Sequence, residues 1–299
     1  FRSGAATALV GDSVALNFLE RDGEGTAVSM KNSSSMIQVE TRLELLLEQP
    51  MDALFHIGAH PDRLDRLCGS EVITATQTDG STLDLHSDMF FDPFGNPVIR
   101  TRLLPGTTTI DYAFRGTASS AFKPADDLPF IAINDLPSNV LQYLKPSRYV
   151  DSDRVGPLAF EIIGDEVMAG RQTHRLFEWV TEHVRYEPGS SVLPLSTREV
   201  IDQQVGVCRD LAHALIGLLR AISLPARYVV GYAQELEPQD IHAWVEVFLN
   251  NAWYELDPSF KKMINGRAGL IHGRDAADVA IMDQFGPLPL VSKQSVQVL

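Results

Sequence analysis

From Ile37 onward the chain alternates apolar and polar residues: Ile37, Val39, Thr41, Leu43 and Leu45 stand against Gln38, Glu40, Arg42 and Glu44. A period of two is the signature of a strand buried on one face. Short β-like runs follow in "DALFHI", "EVITATQ", "STLDLHS", "NPVIRTRLL" and "TTTIDYAF", divided by turn sequences such as "TDGS" and "DPFGNP". The pattern predicts an antiparallel β-sandwich over residues 36–118, near the usual size of such a domain. Residues 1–35 lack this periodicity and read as a tail, disordered and outside the fold.

Residues 119–160 hold Pro124, Pro129 and Pro137 and read as a connector, with a short helix in "SNVLQYLK" stopped by Pro146. Helical periodicity then takes over. "DEVMAGRQTHRLFEWVTEHVRYE" places Val167, Leu176, Val180 and Val184 on one stripe. "STREVIDQQ" opens with Ser196 and Glu199 at capping-box spacing and closes at Gly206. A third helix, "CRDLAHALIGLLRAI", turns Leu211, Leu215, Leu218, Leu219 and Ile222 toward a core. The strands "ARYVVGYA", "HAWVEVFLN" and "AWYELDP" complete an α+β domain over residues 161–299.

The last two strands read as a hairpin closed by Asn250-Asn251, residues that tolerate the positive φ of a tight turn. A two-residue loop sets Leu249 opposite Ala252, Trp244 opposite Asp257 and His242 opposite Ser259. One face then carries Ala243, Val245, Val247, Leu249, Ala252, Tyr254 and Leu256, and must face the core. The other carries His242, Trp244, Glu246, Phe248, Trp253, Glu255 and Asp257, with His242 and Asp257 as diagonal neighbours.

Cys208 stands where a helix begins, a position that favours Ser, Thr, Asp or Asn. Cysteine caps poorly, but the positive end of a helix dipole stabilises a thiolate. With His242 to take the thiol proton and Asp257 to orient the imidazole, the three side chains form a thiol triad. The Cys208 amide, at the helix terminus, is placed to donate to a tetrahedral oxyanion.

At these residues the chain resembles the transglutaminase-like superfamily in its bacterial branch, through "GVCRDLAHALIGLLRAISLPARYVVGY" and "DIHAWVEVFLNNAWYELDPS". The resemblance implies a nucleophile at Cys208, a base at His242 and an acid at Asp257. Ser223-Leu224 replaces the family's usual Gly-Ile, and Ser259 stands where Thr is usual; neither change touches the three residues. "DPFGNPV", "LPSNVLQYLKPSRYV" and "HGRDAADVA" also look like family text. The resemblance implies a papain-like catalytic domain behind an N-terminal β domain. It also implies acyl transfer from a peptide or protein amide through a thioester, with water favoured over an amine as acceptor. A transglutaminase using an amine, or a peptide-binding protein on the same fold, are the rival readings.

Composition narrows this further. A net charge of −14 argues against nucleic acid or an anionic membrane as partner. Two cysteines are too few for a disulfide scaffold and fit a reducing, cytoplasmic setting. No motif calls for a cofactor or metal: His56, His60 and Asp62 lie in text broken by Gly58 and Pro61, and "DGSTLDLHSD" lacks a calcium-loop spacing. His213, five positions after Cys208, does not share its face and reads as structural, as do Arg209 and Asp210. Asp240 reads as support for the loop before His242, and Cys68 as inert. Trp244 and Trp253 are expected either to wall the acyl site or to pack beneath the N-terminal domain. Tyr186, Gln203 and Gln204 stand as candidates for a second oxyanion donor.

Overall fold

The computed structural model describes residues 19–21, 27–29, 36–66, 71–85, 88–118, 124–260 and 266–299. Residues 1–34 and 35–299 form separate units. Within the first, Leu19–Arg21 pairs antiparallel with Ala27–Ser29; the rest of the expected tail lies outside the described residues.

In the second unit, two antiparallel sheets arise where alternation predicted them. One runs Leu290–Val298, Met36–Leu47, Gly106–Thr117, Val72–Gln77, Thr82–Leu83; the other runs Met282–Phe285, Met51–Phe55, Pro97–Leu103, Met89–Phe91. Ile37, Val39, Leu45, Met51, Phe55, Ile99 and Ile110 from both sheets meet in one apolar core. The boundary drawn at residue 161 assigned 282–298 to the second domain, and the ladders correct it. Met282–Phe285 pairs with Met51–Phe55, and Leu290–Val298 pairs with Met36–Leu47. The edges of both sheets present unpaired backbone groups, and these late strands satisfy them.

A third sheet has the order Ala252–Leu256, His242–Leu249, Ala226–Ala233, Arg267–Gly273, antiparallel throughout. Among the described residues four α-helices accompany it: α1 (Gly156–Ile163), α2 (Ala169–His183), α3 (Thr197–Gln203) and α4 (Cys208–Ala221). Together these make the chain α+β. Every residue of α4 from Asp210 to Arg220 is buried. The one-sided stripe read from the sequence is thus enclosed all round, with α1, α2 and α3 among its neighbours beside the central strands.

Local chemistry sets the remaining ends. The capping box of α3 forms: Ser196 Oγ accepts the Glu199 amide, and Glu199 accepts the Ser196 amide. Helix α2 starts later than its periodicity suggested, because the Glu166 carboxylate accepts the Val167 and Met168 amides in a turn and leaves Val167 exposed. The short helix expected in "SNVLQYLK" is a 3₁₀ turn over Leu141–Leu144. Among the described residues no helix is long and apolar enough to cross a membrane.

Candidate active site

The hairpin turn decides the geometry. Asn250 and Asn251 both adopt left-handed backbone, with φ of 46° and 59°, the conformation of a type I′ turn. The register follows as the spacing predicts, from Leu249 opposite Ala252 to Val245 opposite Leu256. Asp257 leaves the strand end immediately after, and its Oδ2 lies 2.7 Å from His242 Nε2. The Ser259 amide donates to Asp257 Oδ1 at 3.1 Å.

Both members of this pair are buried, which alone would neutralise them. Burial pulls the His242 imidazole down, but the Asp257 carboxylate and then Cys208 overcome it and raise it to about 10. Burial likewise pushes Asp257 up, and the charges of His242 and Arg267 hold it below its usual value. At neutral pH the two are an imidazolium and a carboxylate. Arg267, fully enclosed, places Nη1 3.7 Å from Asp257 Oδ2 and donates from Nε to Glu255 at 3.2 Å. The sequence reading missed Arg267, which opens the strand Arg267–Gly273.

The second ring nitrogen, His242 Nδ1, is buried, and hydrogen bonding with the Cys208 side chain helps to raise the ring. Cys208, partly exposed, shares with His242 the lining of a cleft of about 440 Å³. As the first residue of α4, Cys208 has no intrahelical acceptor for its amide. The turn that starts α4 is fixed by Asp210, whose buried carboxylate accepts the Val207 amide at 3.1 Å and the Leu195 amide at 3.1 Å.

Tyr186 also lines the cleft. The parallel pairing of Arg185–Tyr186 with Val205–Gly206 brings it beside the start of α4. Burial, with the charges of Cys208, Asp257 and Asp240, pushes its hydroxyl up to about 12, so it keeps its proton as a donor. Gln203 and Gln204 are not in the lining; Gln204 ends α3 in left-handed backbone, φ 56°.

Other candidates fall into structural places. His213 Nδ1 donates to the Leu195 carbonyl, Nε2 accepts the Ala276 amide, and burial lowers the ring from its ordinary value. His56 bonds the Ala280 carbonyl and His60 the Phe94 carbonyl. Asp240 accepts from the Ile241 amide and Gln294 Nε2, and lines the cleft. Trp244 is fully buried with its ring 6.0 Å from that of His242; Trp253 packs on Phe248 and Tyr143. Neither tryptophan lines the cleft. Cys68 lies outside the described residues.

Residues 157–258 match the transglutaminase-like superfamily. Among solved structures, a candidate cysteine protease from Cytophaga hutchinsonii superposes with a TM-score of 0.78 at 25% identity, over 89% of this chain and 91% of that one. An uncharacterised Mycobacterium leprae protein is 30% identical over 111 residues, 34% of this chain and 39% of that protein. An uncharacterised Mycobacterium tuberculosis protein is 33% identical over 109 residues, 31% of this chain and 35% of its own. The chain thus spans well under half the length of these curated relatives.

Proposed function

We propose that this chain, which carries a transglutaminase-like domain, is a thiol-dependent acyl-transfer enzyme that hydrolyses amide bonds of a peptide or protein. The observation that carries the reading is the buried His242–Asp257 pair, whose imidazole interacts with the Cys208 side chain and shares its cleft.

The proton on His242 comes from the Cys208 thiol, leaving thiolate beside imidazolium. The thiolate attacks the amide carbonyl, forming a C–S bond while the carbonyl pair moves onto oxygen. The Cys208 amide and the Tyr186 hydroxyl are the donors at hand for that oxyanion. His242 Nδ1 then protonates the leaving nitrogen, the C–N bond breaks, and a thioester remains on Cys208. Water enters, gives a proton to His242 and attacks the thioester; collapse releases the acid and restores the thiolate–imidazolium pair. Asp257 holds the ring by Nε2 and stabilises its charge throughout.

Intact-mass analysis with glutamine- and amide-bearing peptides plus an added amine tests the reading. Hydrolysed peptide that disappears in Cys208→Ala is expected; amine incorporation would move the acceptor from water to amine. Turnover surviving in Cys208→Ala, or faster iodoacetamide labelling at Cys68 than at Cys208, would overturn it.

A further inference from the structure

The loop from Glu187 to Leu195 joins the cleft to an exposed apolar tip. Pro188, Gly189 and Pro194 line the cleft, while Val192 is 90% and Leu193 76% exposed. Isolated surface apolar residues are ordinary, but this adjacent pair is held outward by bonds on either side. On one side Ser191 Oγ bonds the Asp210 carboxylate and accepts from Arg209 Nη2 at 3.1 Å. On the other, the Leu195 amide donates to Asp210 at 3.1 Å and its carbonyl accepts from His213 at 2.8 Å.

All of these anchors belong to α4, the helix that begins with Cys208. Folding Val192 and Leu193 inward would strip bonds from the fully buried Asp210 carboxylate, which is costly. The tip is therefore fixed in register with the thiol. The cleft continues the same character through Val230, Leu236, Ile241, Val279 and Ile281.

We infer that the Val192–Leu193 tip is a substrate-selecting surface, which takes an apolar side chain of an extended peptide whose scissile amide lies at Cys208. The inference rests on the acyl-transfer reading and adds to it the substrate class: a polypeptide segment with an apolar residue near the cleaved bond.

Tripeptidyl vinyl sulfones that differ only in carrying Leu or Ser test it on the full chain. The Cys208 thiolate adds to the vinyl carbon and the adjacent carbon takes the proton from His242, so intact mass reports the rate. Labelling on the order of tenfold faster with the Leu probe is expected. The preference should collapse in Val192→Ser/Leu193→Ser, with the iodoacetamide rate at Cys208 and the melting midpoint unchanged. Equal rates in the wild type, or a preference retained by the double variant, would overturn the inference. So would a concentration-dependent dimer that the double variant dissolves, since a second copy would then occupy the tip. Failure of iodoacetamide to favour Cys208 over Cys68 removes the acyl-transfer reading itself, and is read independently of the probe preference.

Discussion

The two faces of the strand His242–Leu249 are both buried, by opposite means. Ala243, Val245, Val247 and Leu249 enter the apolar core shared with α4. On the other face Glu246, only 4% exposed, stays ionised between Arg63 at 2.9 Å and Arg227 at 2.6 Å. Burial would push its carboxyl up, and the two guanidinium groups hold it well below the usual carboxylate range. Arg227 in turn lies 4.1 Å over the Trp253 ring, and Phe248 packs with Leu136 and Val140. A polar face in an alternating strand therefore need not meet water; here it meets Arg63 from the N-terminal region and Arg227 from the neighbouring strand. His242 and Asp257 sit at the end of this charged face, where a buried ion pair is the local rule.

The sharpest way to break the contrast is Glu246→Ala. It leaves two arginines buried without their carboxylate, and should cost about 3–5 kcal/mol in denaturant unfolding. Leu249→Ala on the apolar face removes packing alone and should cost roughly 2–5 kcal/mol, with little change between low and high pH. An equal pH response in both variants would erase the distinction between the faces.

Asp257→Asn comes next. It should keep the fold and slow acyl transfer by on the order of 10–10³-fold, less than a serine triad loses, because a thiol needs less help from its base. A fully active Asp257→Asn beside a dead His242→Ala would move the orienting role to another group.

The smallest effect is a displacement on the pH axis. Because folding raises His242 from 6.5 to about 10, its pairing stabilises fully below pH 6.5 and is lost as pH rises through 10. The alkaline limb of activity should therefore fall near pH 10. In Asp257→Asn it should move toward 6.5. An alkaline limb that stays put in Asp257→Asn would detach the imidazolium from the carboxylate.

Much of the candidate site was legible because it is encoded locally. Asn250-Asn251 specifies turn and register, and register alone brings Asp257 to His242. Ser196 and Glu199 announce α3, and the apolar spacing from Leu211 announces α4. What escaped depends on distant partners. Arg267 and Arg63 carry no local mark of the carboxylates they meet, and "MDQF" and "LVSKQSVQV" do not say which edge they will join. Helix α1 was missed although Pro157 stands in its first turn, a favoured place for proline.

Strand Leu290–Val298 closes the sheet opened by Met36–Leu47, and it also grips the segment leading to His242. Gln239 exchanges two bonds with Val298, and Gln294 reaches Asp240. The segment leading to His242 is thus tied to the last strand of that sheet. On a ribosome, that sheet and the cleft wall it braces are completed only after everything between them has been made. Pairing across so long a stretch favours slow assembly. The maturing chain should pass through a stage in which the thiol helix is already packed and the wall beside it is still open.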